Sequence, residues 1–209
     1  MKRNEWIAAA VAVVVLVGGA RLGAADDPDA SRYQESVTLE TAGKYKDALS
    51  TLEKITGSRS NDYMFHLRRG WLLYLTGEYD GAIEAYTRAT RQEPLSIEAR
   101  LGLMLPQIAA RRWLDAVSTG RGILKLDAGN YLANSRVAYA YYNLSRWKEA
   151  ETYYKTVLQA YPGDTDMRSG YAWSLFKQGR HDAAKREFRK ILEVAPRHAT
   201  AIEGIRLCP

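Results

Sequence analysis

Apolar and polar residues follow a helical spacing along most of the chain. From residue 29 onward, apolar-periodic segments of 12 to 15 residues come in pairs, each pair separated by a glycine-type turn. The stretch "TGEYDGAIEAY", Thr76 to Tyr86, shows one such junction, where a first helix ends near Gly77 and a second begins. Because glycine tolerates the positive φ that stops a helix, the pattern predicts helical hairpins and no strands.

The hairpin recurs every 34 residues without an insertion. A small residue recurs in the second helix as Ala48, Ala82, Ala116, Ala150 and Ala184. Three residues earlier stands a ring, in Tyr45, Tyr79, Trp113, Trp147 and His181. The turn column is Gly43, Gly77, Arg111, Ser145 and Gly179, and prolines close three second helices at Pro94, Pro162 and Pro196.

A fixed period of 34 with these columns resembles the tetratricopeptide repeat family. The resemblance covers Asp29 to His198 as five units, which are residues 29–62, 63–96, 97–130, 131–164 and 165–198. It implies an all-α fold, a right-handed α-solenoid of helix-turn-helix repeats whose first helices line a concave face. Stacked units bury a continuous core, because one helical pair alone buries too little apolar surface. Residues 199–209 repeat the start of a first helix and predict a truncated C-terminal capping helix.

The third unit departs from the pattern. Arg111 replaces the turn glycine, Pro106 interrupts the first helix, and Gly120 replaces a large side chain of the other units. A proline inside a helix costs about 3 kcal/mol unless it is compensated. We therefore expect a kink or loose packing over residues 105–122. This unit is either a hinge or a degenerate repeat held by its neighbours.

The resemblance implies a ligand groove lined by the first helices, with a strongly aromatic set of side chains. Aromatic rings give large contact areas at low entropic cost, although part of such a set fills packing positions. Of these residues, Trp71, Tyr139 and Trp173 are the strongest candidates. The predicted groove residues are Tyr33, Leu67, Trp71, Tyr74, Leu105, Tyr139, Tyr142, Trp173 and Phe176, with Arg68 and Arg136 at the rim.

The predicted partner is a protein or peptide with apolar side chains and some acidic character. One subset of the family grips a chain-terminal carboxylate with Lys and Asn. The corresponding positions here hold Leu67 and Trp71, or Ser135 and Tyr139, so that clamp is not matched. The basic helix over 185–192 interleaves charges with packing residues and indicates a solvated face, so we expect no nucleic acid partner.

The sequence lacks a constellation for catalysis, and we predict no enzyme, cofactor or metal site. The three histidines, His66, His181 and His198, fall at different phases of the repeat, without ligand spacing. His181 occupies the ring column, which indicates packing. No Gly-rich phosphate loop follows a strand, because no strand is predicted.

The N-terminus predicts export. Lys2 and Arg3 precede an uncharged apolar run from Trp6 to Ala20, and Ala25 closes a candidate cleavage site, so residues 1–25 read as a signal peptide and 26–28 as a linker. An uncleaved inner-membrane anchor over residues 6–22 and a buried helix are the alternatives. Removing the segment lowers the net charge from +6 to +4, too little to indicate nucleic acid binding. The bacterial periplasm is the expected location.

The function predicted from these features is an exported scaffold that holds a partner protein within an envelope assembly. One alternative is a subunit that self-associates through its C-terminal end, where the lone cysteine, Cys208, could pair between chains. The other is a glycan or cell-wall binding module, since Trp and Tyr also stack on sugars.

Overall fold

The computed structural model describes residues 27–209, and every regular element in that range is helical, which confirms the all-α solenoid class. A short 3₁₀ helix, Gly57–Asn61, lies between the second and third α-helices. The α-helices are α1 (Pro28–Thr41), α2 (Tyr45–Leu52), α3 (Tyr63–Thr76), α4 (Tyr79–Gln92), α5 (Ile97–Ala109), α6 (Trp113–Leu124), α7 (Tyr131–Asn143), α8 (Trp147–Ala160), α9 (Thr165–Lys177), α10 (His181–Val194) and α11 (Ala199–Leu207). The predicted signal peptide lies outside the described residues.

Both ends of the repeat array have defined helices. The α1 helix begins at Pro28, inside the predicted linker, and Asp27 caps it by accepting the backbone N–H of Asp29 at 3.0 Å. At the other end, α11 occupies the predicted capping segment and covers α10 with Ala201 and Gly204, both buried.

The first helix of each later unit starts at a polar cap that recurs every 34 residues. Each cap side chain accepts a backbone N–H from the first turn, which satisfies a donor that has no partner inside the helix. These caps are Asp62, Ser96, Asn130, Asp164 and His198. The caps therefore set where α3, α5, α7, α9 and α11 begin.

The turn column adopts the left-handed backbone conformation in all five units. Besides the three glycines, Arg111 has a φ of 58° and Ser145 a φ of 57°. The next residue in each turn donates its backbone N–H to a carbonyl five residues earlier, as Glu78 does to Leu73 at 2.8 Å and Arg112 to Gln107 at 2.7 Å. This bond closes the first helix, so the turn geometry persists where glycine does not.

The core is built where helices cross at small residues. All five members of the alanine column have no exposed surface. A ring from each of α4, α8 and α10 also lies over a glycine of the next first helix, where any Cβ would overlap it. These pairs are Tyr86 with Gly102, Tyr154 with Gly170, and Phe188 with Gly204. Consecutive units thus nest closely, as stacking requires.

The third unit is tightly packed, so the expected loose packing is wrong. Helix α5 runs through Pro106, which is buried. A Cβ on Gly120 would overlap Val137 and the end of Met104, because these side chains fill the space that a ring fills in other units. Small and large residues have exchanged places across this interface, which preserves its density.

The helices form two layers, and the odd-numbered layer is the inner one. Helix α3 contacts α5, α5 contacts α7, α7 contacts α9, and α9 contacts α11, whereas consecutive even-numbered helices are in less extensive contact. In a curved stack of helices, the layer whose helices lie closer together is on the inside, and here that is the odd-numbered layer. We call the surface of α1, α3, α5, α7 and α9 in this layer the inner face.

Candidate functional site

The predicted groove residues all lie on the odd-numbered helices that form the inner face. Tyr139 is exposed, with 44% of its surface accessible, while the other eight are half-buried. Half-burial anchors one side of each of these eight side chains in the packing between helices. The predicted groove residues are therefore held in place before a ligand binds.

A group of neighbouring rings lies on α3 and at the start of α4. The Trp71 and Tyr74 ring centroids lie 5.7 Å apart, and those of Tyr74 and Tyr79 lie 6.0 Å apart. The indole Nε1 of Trp71 donates to Glu40 Oε1 of α1 at 2.6 Å. This bond satisfies the indole N–H and fixes Trp71 toward the preceding first helix.

Arg68 belongs to an internal network and is not a free rim residue. Its Nη1 lies 3.0 Å from Glu40 Oε2, and its Nε and Nη2 donate to Ser36 Oγ at 3.0 and 2.9 Å. The Ser36 hydroxyl, itself buried, donates to the carbonyl of Ala48 at 2.9 Å. Glu40 therefore joins two predicted site residues. Its role was missed because the same position of other units holds a ring, at Tyr74, Tyr142 and Phe176, so the repeat pattern does not indicate a carboxylate there.

Arg136 is the other predicted rim residue, and its surroundings differ. Its Nη1 donates to the backbone carbonyl of Leu101 at 2.7 Å, so the side chain lies across α5 toward the second unit. Burial lowers the pKa of Arg136 to about 10, partly offset by the nearby phenols of Tyr74 and Tyr86. The guanidinium remains charged at neutral pH inside an aromatic environment.

The rings toward the C-terminal end serve packing more than contact with solvent. Trp173 lies 5.2 Å from the fully buried Phe188 ring and 5.3 Å from Phe176, which in turn lies 4.9 Å from His181. Tyr142 is half-buried, and burial raises its pKa. Trp173 and Phe176 are therefore integral to the fifth unit's core as well as to the inner face.

Two other predicted tyrosines differ in accessibility. Tyr139 meets Trp113 edge to face at 5.8 Å and presents its exposed side to solvent. Burial raises the pKa of Tyr33 to about 12, with the Asp62 carboxylate adding to the shift. Tyr139 is thus available to a ligand, while Tyr33 is held between units one and two.

The histidines serve the fold. His66 is buried beside Asn61, with Nε2 3.1 Å from Oδ1, and burial lowers its pKa. His198 caps α11, and His181 packs on Phe176. Within residues 27–209 no cluster of three or more His, Cys, Asp or Glu could hold a metal ion. The same residues contain no helix long and apolar enough to cross a bilayer.

A further column of polar residues in the first helices stabilises the loops between units. The side chains of Arg100 and Arg168 donate to the carbonyls of Pro94 and Pro162, at 2.6 and 2.5 Å, and Asn134 donates to Ala128 at 3.0 Å. Each bond runs six residues back along the chain. The 34-residue spacing of these polar residues was a readable signal that periodicity of apolar positions alone does not use.

Comparison with known proteins gives one consistent family. A model described as tetratricopeptide repeat matches residues 33–97 and 106–165, and a second with the same description matches 145–205. A TPR repeat-containing protein of Methanocaldococcus jannaschii is 26% identical across 81% of this chain and 37% of its own length. Sperm-associated antigen 1 of Mus musculus is 30% identical across 62% of this chain and 13% of its own length. This chain thus spans well under half of either relative.

Solved structures share the fold at low identity. MamA from Desulfovibrio magneticus, residue 41 to its end, superposes with a TM-score of 0.77 at 14% identity, covering 83% of this chain and 98% of that one. A tetratricopeptide repeat protein from Parabacteroides merdae has a TM-score of 0.77 at 18% identity, covering 85% and 71%. The family rests on the two sequence models, which together match residues 33–97 and 106–205. Because these segments include most of the described helical pairs, this chain belongs to the tetratricopeptide repeat family.

Proposed function

We propose that this protein is an exported, non-catalytic scaffold that holds a segment of a partner protein against its inner face. The observation that supports this most strongly is a set of accessible aromatic side chains on three first helices. Trp71 on α3 and Trp173 on α9 are half-buried, and Tyr139 on α7 is exposed. Rings held on one side by packing offer contact area without a large ordering cost, which is typical of binding hot spots. Membership of a family of repeat scaffolds is consistent with this reading.

Export is part of the proposal and rests on the sequence. The basic start and the uncharged apolar run from Trp6 to Ala20 are typical of a segment that directs a chain across the inner membrane. In a bacterial cell the scaffold would then lie in the periplasm, or on the inner membrane if the segment is retained.

A direct test is selection of random dodecapeptides displayed on phage against the immobilised full chain. We expect enrichment of apolar sequences, and Tyr139→Ala should reduce their binding about tenfold, because one well-packed aromatic contact contributes about 1–2 kcal/mol. The matched control is Tyr161→Ala, an exposed tyrosine outside the inner face. Equal losses in both variants, or no enrichment, would refute the inner face as the site; glycan binding lost with Tyr139 would favour the carbohydrate alternative.

Self-association is a second candidate, favoured by apolar residues at the C-terminal end. Ile202 and Leu207 of α11 expose 47% and 43% of their surfaces. Cys208 is buried against the core of the fifth unit, so this arrangement favours packing over a disulfide between chains. Light scattering of the full chain over a range of concentrations would test this: Ile202→Ser should lower the measured mass if the end joins copies, and a concentration-independent monomer would exclude it.

A further inference from the structure

Arg68 and Arg136 occupy the same position of the repeat, two periods apart, and both reach back to the preceding first helix. Arg68 finds a carboxylate there, Glu40, 3.0 Å away. Arg136 finds only a backbone carbonyl, that of Leu101 at 2.7 Å. The two arginines thus differ in what the preceding helix supplies.

The sequence of α5 explains this difference. The positions of Ser36 and Glu40 in α1 correspond, two periods later, to Met104 and Ile108 in α5. Ile108 has no acceptor, and the thioether sulfur of Met104 is only a weak one, so neither side chain replaces a carboxylate. Among the ion pairs formed within residues 27–209, none includes Arg136.

The environment of Arg136 favours an incoming anion. Its guanidinium has five donors in a planar fork, and the one bond to Leu101 leaves it able to bind a carboxylate with two parallel hydrogen bonds. A partly desolvated cation attracts an anion more strongly than a solvated one, because the local dielectric is lower. The phenols of Tyr74 and Tyr86 lie close enough to act on its charge, and the Trp71 ring lies 5.7 Å from that of Tyr74, so an apolar segment on these rings would lie near the cation.

We propose that Arg136 binds one carboxylate of the partner, from an Asp or Glu side chain within an apolar segment that lies on the inner face. This inference rests on the proposed function and names the chemistry that the inner face recognises. Arg68 is excluded from the same role because its guanidinium already forms an ion pair with Glu40.

Two variants of the full chain test the assignment. Arg136→Met removes the charge and the guanidinium donors and keeps an unbranched apolar stem. Ile108→Glu places a carboxylate where Glu40 stands relative to Arg68, so that Arg136 acquires an internal partner. Both should retain wild-type helical circular dichroism and cooperative melting. Arg136→Met should melt no lower than wild type, because the charge it removes has no carboxylate partner within residues 27–209.

The probes are dodecapeptides enriched from the phage library on the wild-type chain. We expect these to share one Asp or Glu. Changing this peptide residue to Asn or Gln should weaken binding to the wild-type chain at least tenfold. The same peptide change should weaken binding to Arg136→Met or Ile108→Glu less than twofold. C-terminal amidation of the peptide should have no effect; a loss of binding on amidation alone would overturn the side-chain assignment in favour of a chain-terminal carboxylate.

Three further results would overturn the proposal. If enriched peptides show no shared acidic residue, Arg136 does not select a carboxylate, although the scaffold function stands. If the acid-to-amide change weakens binding equally in wild type and Arg136→Met, another group reads the carboxylate. If no peptide is enriched, the proposed function fails and this inference fails with it.

Discussion

The two turns that lack glycine provide a quantitative test of the repeat architecture. Arg111 and Ser145 hold φ values of 58° and 57°, which glycine adopts freely and other residues adopt at a cost. We predict that Arg111→Gly and Ser145→Gly each stabilise the protein. The side chains at both positions are exposed, so little packing is lost on their removal.

The magnitude follows from two opposing effects. Relieving a left-handed conformation at a residue with a Cβ gains about 1–2 kcal/mol. The greater backbone freedom of glycine in the unfolded chain costs about 0.5–1 kcal/mol. The net gain should be about 0.5–1 kcal/mol for each change. The turns belong to different units and their backbone N–H groups bond to different carbonyls, those of Ile108 and Tyr142, so the double variant should gain about 1–2 kcal/mol.

Thermal unfolding followed by circular dichroism can resolve these gains, because 1 kcal/mol shifts the midpoint by about 2–4 °C in a chain of this size. Arg111→Ala is the matched control, since it removes the same side chain and keeps the Cβ that causes the strain. Gly77→Ala, at a φ of 85°, should lose stability. If Arg111→Gly melts no higher than Arg111→Ala, backbone strain at this turn is not what limits stability.

Three further predictions concern packing, charge and the thiol. Gly204→Ala should cost about 1–3 kcal/mol, because its methyl group overlaps the Phe188 ring, and hydrogen exchange should show α11 losing protection first. Glu40→Gln should cost about 1–3 kcal/mol in urea unfolding, because the partly buried Arg68 loses its carboxylate partner, whereas Glu84→Gln, in an exposed pair, should cost less than about 0.5 kcal/mol; equal losses would contradict the network. Burial raises the pKa of the Cys208 thiol, so iodoacetamide at pH 8 should label it slowly until denaturant is added, and rapid labelling without denaturant would show that it is accessible.

The helical pairs could be predicted because their determinants recur at a fixed spacing. The alanine column marks the helix crossings, and all its members are buried as expected. Even Arg111 and Ser145 take the conformation of the glycines they replace, since the column position dictates the turn. The expectation of loose packing was drawn from three residue identities in the third unit, those of Pro106, Arg111 and Gly120. It failed because the space beside Gly120 is filled by Met104 of α5 and Val137 of α7, which the sequence of α6 does not reveal.

The candidate site was less predictable than the fold. Helical phase placed the rings on the first helices, yet it could not distinguish Tyr139, exposed, from Trp173, packed on Phe188. It also treated Arg68 and Arg136 as equivalent. Side chains from other helices decide which rings and charged groups can still contact a ligand. The position of a residue around its own helix does not contain that information.

By itself, the sequence determined the architecture, since each unit of a solenoid contacts mainly its neighbours and the same local pattern is repeated along the chain. Only the tertiary structure decided which polar groups on the inner face are already paired. Glu40 neutralises Arg68 across 28 residues of chain, while Arg136 crosses α5 and meets no carboxylate within residues 27–209. The physical reason is that an arginine's availability to a ligand depends on the helix packed beside it.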